Sequence, residues 1–144
     1  MKKQLIALRG ASNSGKSSTL LMLYRLLAAH SATRLISFEA IGHKLDFSAI
    51  VQINGCKIGI FNRGDVSGTV DGLIDQLAQA GCKVIVCAAR SKGDVGDVLA
   101  SYERRYQLQE IVKKTGGEDE SDFALVNMGV AHDLAARVYS AVVV

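Results

Sequence analysis

Residues 10–17 read Gly-Ala-Ser-Asn-Ser-Gly-Lys-Ser and match the pattern GxxxxGK[ST] at every defined position. Each residue type in that pattern has a task in holding phosphate. Glycines at 10 and 15 let the backbone curl tightly enough that the successive N–H groups of Gly10, Ala11, Ser12, Asn13, Ser14, Gly15, Lys16, Ser17 and Ser18 can face one anion. A helix that opens just after the loop adds its positive end. Lys16 supplies a mobile positive charge for the β- and γ-phosphates, and the Ser17 hydroxyl is a ligand for Mg²⁺.

Other reactive side chains are scattered. His30, His43 and His132 lie far apart without ligand-like spacing, and Cys56, Cys82 and Cys87 form no CxxC pair. Two of the cysteines fall in strand-like segments, so structural thiols are expected.

The elements that must position the loop follow from periodicity. Leu5, Ile6, Ala7 and Leu8 form an unalternating apolar run, as a strand buried on both faces does. Beyond the loop, Leu20, Leu23 and Leu27, with Met22 and Leu26, recur at helical spacing to about His30. Arg34 to Glu39 is a short strand, and Phe47–Ile53 and Lys57–Phe61 flank Asn54-Gly55, the dipeptide of a tight antiparallel hairpin. From Thr69, the residues Val70, Leu73, Ile74, Leu77 and Ala78 share one helix face, and Gly81 stands at the C-terminal cap. Val84 to Ala89 is a second central strand. Val95, Val98, Leu99, Tyr102 and Tyr106 mark a third helix, with Arg104 and Arg105 near its C-terminus, where cations complement the dipole. Leu108 to Lys113 follows as an edge strand, and Phe123, Val126, Val130, Leu134 and Val138 trace a last helix that docks on the sheet. The expected fold is a single doubly wound α/β domain, with a mostly parallel sheet, one antiparallel hairpin and helices on both faces.

Composition agrees with one such domain. The chain has 144 residues, 49% hydrophobic and 22% charged, with a formal charge of +3. That balance is too small and too evenly spread to signal a nucleic-acid partner. The apolar run after Lys2 and Lys3 is too short for a secretion signal, and no stretch approaches the ~20 apolar residues of a membrane span, so a cytoplasmic protein without a membrane partner is expected.

In its strand, glycine loop and helix from Leu5 to Leu27, the chain resembles P-loop NTPases of the small single-domain type, and as a whole it resembles small bacterial P-loop proteins described mostly as ATP-binding. The resemblance implies a three-layer α/β/α fold and a Mg²⁺-nucleotide, ATP or GTP, as cofactor. It does not supply a substrate; the reading taken is phosphoryl transfer, above all nucleotide hydrolysis, with a kinase acting on a small-molecule or protein acceptor, or a regulatory module that holds nucleotide without turning it over, as alternatives.

Such proteins usually end a strand with an Asp that holds the metal, and here the strands run into Asn62 and Arg90 instead. Asp65 is the chosen acid, because Asp65-Val66-Ser67-Gly68 spells the DxxG of Ras-like GTPases. In that resemblance Asp65 supports the metal and the Gly68 amide contacts the γ-phosphate. The same four residues serve equally as a turn before the next helix. Ser91-Lys92-Gly93-Asp94 matches a loosened guanine-reading motif, but the single helix between it and Asp65 is too little chain for a Ras-like arrangement, so no guanine preference is expected. Arg90 and Lys92 stand at the C-terminal edge of a central strand, where they can clamp a phosphate or simply form a solvated basic loop.

Overall fold

The computed structural model describes residues 3–10, 15–40, 46–62, 67–90, 95–113 and 120–142, with backbone only at 67–69, 90 and 120–123. Along the chain run β1 (Gln4–Gly10), α1 (Lys16–Ala29), β2 (Thr33–Ala40), β3 (Phe47–Ile53), β4 (Cys56–Asn62), α2 (Ser67–Gln79), β5 (Cys82–Arg90), α3 (Val95–Ala100), β6 (Gln107–Val112) and α4 (Glu120–Val142). The six strands form one mixed sheet in the order β2-β3-β4-β5-β1-β6. β1 pairs parallel with β5 and β6, and β4 pairs parallel with β5. β3 alone runs against the other five, antiparallel to both β2 and β4.

The apolar run in β1 is continuous because both of its faces are covered. Ile6 and Leu8 join one core with Leu20, Leu23 and Leu27 of α1 and Leu134, Ala135 and Val138 of α4. Leu5 and Ala7 join a second core with Val70, Ile74 and Leu77 of α2 and Val95 and Leu99 of α3. Alternating side chains of one strand thus feed two hydrophobic layers, each fully buried Leu contributing ~1.5–3 kcal/mol. On the second face Gly59 of β4 lets Leu77 approach the backbone: a Cβ there would lie 2.8 Å from Leu77 Cδ1.

The hairpin turns at Asn54 (φ 52°) and Gly55 (φ 75°), the two positive φ angles that its sequence favours. Gly81 ends α2 at φ 91°. Two expectations need correction. α2 begins at Ser67 rather than Thr69. α3 stops at Ala100, and Tyr102 and Tyr106 are reached through tight turns in which the Tyr102 and Glu103 amides bond the Leu99 and Ala100 carbonyls. Such turns keep a near-helical course, so the apolar spacing persists past the helix end. Arg104 and Arg105 therefore cap no helix, and the Arg105 guanidinium lies 5.0 Å from the Tyr102 ring centre.

The three cysteines are buried within the two hydrophobic layers, as structural thiols are. Burial pushes Cys82 up to about 11 and Cys87 up to about 12. Among the described residues, no helix is long and apolar enough to cross a membrane.

Candidate functional site

β1 and β5 are neighbours whose chains leave the sheet on opposite faces, β1 into α1 and β5 toward α3. Their C-terminal ends therefore border a crevice, the usual ligand position in an open α/β sheet. Gly10 and Arg90 are register partners at this edge, so the backbone exit of one strand lies beside that of the other.

At the other side of the loop, Gly15 precedes α1 with φ 90° and ψ 15°, a left-handed conformation that costs a glycine nothing. It makes no side-chain cap, and the first turn of α1 contains no acid. The positive end of the helix is therefore not compensated from its own first turn. Lys16, only 9% exposed, folds back so that Nζ donates to the Gly10 carbonyl at 2.7 Å. Thr19 braces the same turn: its Oγ1 donates to the Gly15 carbonyl at 2.7 Å. Ser17 and Ser18 are half-buried beside Lys16.

The sequence-derived site is thus brought together in part. Gly10, Gly15, Lys16 and the Arg90 backbone converge, with Ser17 and Ser18 in the adjoining helical turn. Ala11, Ser12, Asn13 and Ser14 lie outside the described residues, as do Asp65 and residues 91–94. Gly68 sits in the first turn of α2, after β4. β5 intervenes between β4 and β1, so the end of β4 lies two strand spacings, ~10 Å, from β1.

Sequence reasoning missed several polar residues that the fold buries. The buried polar or charged side chains among the described residues are Lys16, Thr19, Asn62, Lys113 and Asn127. Lys16 and Thr19 open α1, Asn62 ends β4, and Lys113 follows β6, where its backbone N–H donates to the Arg9 carbonyl at 2.6 Å. Burial pushes the Lys113 ammonium pKa down. On α4, the Asn127 Oδ1 is buried with no hydrogen-bond partner among the described residues. Asn62 Nδ2 donates to Asp46 Oδ1 at 3.4 Å, which holds a carboxylate at the same end of the sheet. A lone Lys after a strand or a lone Asn within a helix carries no signal of burial in one sequence. Arg9 belongs elsewhere, in a 2.8 Å ion pair with Glu110.

Among the described residues, no three His, Cys, Asp or Glu side chains gather to hold a metal. Mg²⁺ does not require such a cluster, since it commonly takes one or two protein oxygens together with substrate phosphates. The half-buried Ser17 hydroxyl at the start of α1 suits that role. No protein family model, curated protein or solved structure matches this chain.

Proposed function

We propose that the chain binds the phosphates of a Mg²⁺-nucleotide, ATP in preference, at the passage from β1 into α1, beside the crevice bordered by the ends of β1 and β5, and that it catalyses phosphoryl transfer, with nucleotide hydrolysis as the reaction. The observation that carries this reading is the buried Lys16 ammonium, held 2.7 Å from the Gly10 carbonyl beneath a helix opened by a left-handed glycine. A cation is placed there against the local dipole, and a bound anion would stabilise it.

In this reading the loop amides orient the phosphates, and Lys16 offsets the charge that develops on the outer one. The ammonium carries three N–H donors, so a phosphate oxygen can share it with Gly10. The Ser17 hydroxyl and Asp65 would hold Mg²⁺, which when bound would neutralise part of the phosphate charge. Arg90 serves the γ-phosphate from the end of β5, and the Gly68 amide serves it from the start of α2.

A second reading, a module that holds nucleotide without turning it over, draws on the strand ends themselves: β4 finishes in Asn62 and β5 in Arg90, neither an acid. Steady-state phosphate release with ATP, with GTP and without nucleotide, run beside thermal shift, tests both. A thermal shift with release supports the hydrolase, and a shift without release supports the binding module. Neither signal at millimolar nucleotide overturns the proposal.

A further inference from the structure

β2 forms one edge of the sheet, and its outward backbone N–H and C=O groups face no strand among the described residues. Seven of its eight residues are exposed. Three are large and apolar, Leu35 at 57%, Ile36 at 41% and Phe38 at 50% exposed. A long apolar edge of this kind invites strand addition.

The faces of β2 are set by its pairing with β3. Thr33, Leu35, Phe38 and Ala40 lie opposite Ile53, Val51, Ala49 and Phe47, all part of the core beneath α1. Phe38 accordingly packs on Tyr24 of α1 and Phe47, with ring centres 5.0 and 5.4 Å away. Arg34, Ser37 and Glu39 lie opposite Gln52, Ile50 and Ser48 on the other face. The register shifts between Leu35 and Ser37, so the alternation slips by one residue at Ile36.

That slip makes the strand complementary to itself. In an antiparallel pair related by a two-fold axis perpendicular to the sheet, opposite residues must come from the same face. The register that uses the whole strand puts Thr33 opposite Ala40 of a second copy, Arg34 opposite Glu39, and Leu35 opposite Phe38. Without the slip each of these pairs would join opposite faces. With it, every one is face-matched. The axis generates each pair twice. On one face, two Arg–Glu pairs form; on the other, two Leu–Phe pairs extend the aromatic cluster around Tyr24 and Phe47.

We propose that two copies of this chain associate through β2, antiparallel and in this register, to form one continuous twelve-stranded sheet. The interface is isologous and closes on itself, so it consumes the edge instead of propagating it. Its charge pattern selects a second copy over an arbitrary strand.

Sedimentation velocity of the full chain over a dilution series tests this with Arg34→Glu and Glu39→Arg. Both side chains are exposed, and circular dichroism confirms folding. The wild type should dimerise, and each variant alone should self-associate more weakly by about tenfold or more, since like charges then face each other twice. Mixing the two variants should restore association as a heterodimer, because each introduced charge then meets its opposite. The double variant should recover the homodimer. A wild type that stays monomeric, single variants that dimerise as tightly as wild type, or a mixture that fails to recover would each overturn the proposal.

Discussion

Replacing Lys16 by Ala probes the proposed site where its geometry is best defined. In the free protein the change removes the 2.7 Å charge-assisted hydrogen bond to the Gly10 carbonyl. A bond to a charged group contributes ~1.5–3 kcal/mol. Against this stand the relief of a cation that is only 9% exposed and ~0.3–1 kcal/mol for removing positive charge from a helix N-terminus. The terms largely offset. A net loss of about 0.5–2 kcal/mol is expected, which for a chain of this size lowers Tm by about 2–7 °C. From sequence alone, with the lysine directed only at an anion, stability would be unchanged or raised; the bond to Gly10 reverses that sign.

The bound state differs more. Loss of a lysine–phosphate contact costs ~1.5–3 kcal/mol, or about a 10- to 150-fold loss in affinity for Mg²⁺-ATP. Isothermal titration gives the affinity, and thermal denaturation without ligand gives the stability, with wild type and variant measured side by side. Unchanged affinity with a lower Tm would make Lys16 only a strut between β1 and α1, with no part in phosphate binding.

Asp65→Asn should weaken the Mg²⁺ dependence of nucleotide affinity or turnover, while Asp94→Asn should leave the ratio of ATP to GTP affinity unchanged; titration with and without Mg²⁺ checks both. Gly59→Ala should destabilise the fold by ~1–3 kcal/mol in urea denaturation, since its Cβ meets Leu77 Cδ1 at 2.8 Å in a packed layer. Burial raises the Cys82 and Cys87 thiols from 9.0 to about 11 and about 12. Their contribution is therefore fully present below the unfolded value and is lost as pH climbs from 9.0 through that range. The slope is at most ~1.4 kcal/mol per pH unit for each thiol. Urea denaturation across that range should show it, and Cys87→Ala should flatten it.

What the sequence discloses depends on how local the cause is. β1, the hairpin turn and the Gly81 cap are legible because each rests on a few adjacent residues: an unbroken apolar run, an Asn-Gly pair, a glycine after a periodic face. The order of strands is not legible, since nothing in β4 or β1 indicates that β5 lies between them. The end of α3 misleads because tight turns preserve helical spacing at Tyr102 and Tyr106. Within the site, Lys16 declares itself by its motif. Lys113, Asn62 and Asn127 gain their burial only when β6, β4 and α4 are brought to their neighbours.

If phosphate is bound where β1 passes into α1, an amide-resolved NMR titration of the ¹⁵N-labelled chain with Mg²⁺-ATP will locate it there. Saturable shifts should centre on Gly10, Gly15, Lys16, Ser17 and Ser18, and be abolished or displaced to far higher concentration in Lys16→Ala. Shifts centred elsewhere on the molecule, or none at millimolar Mg²⁺-ATP, would contradict it.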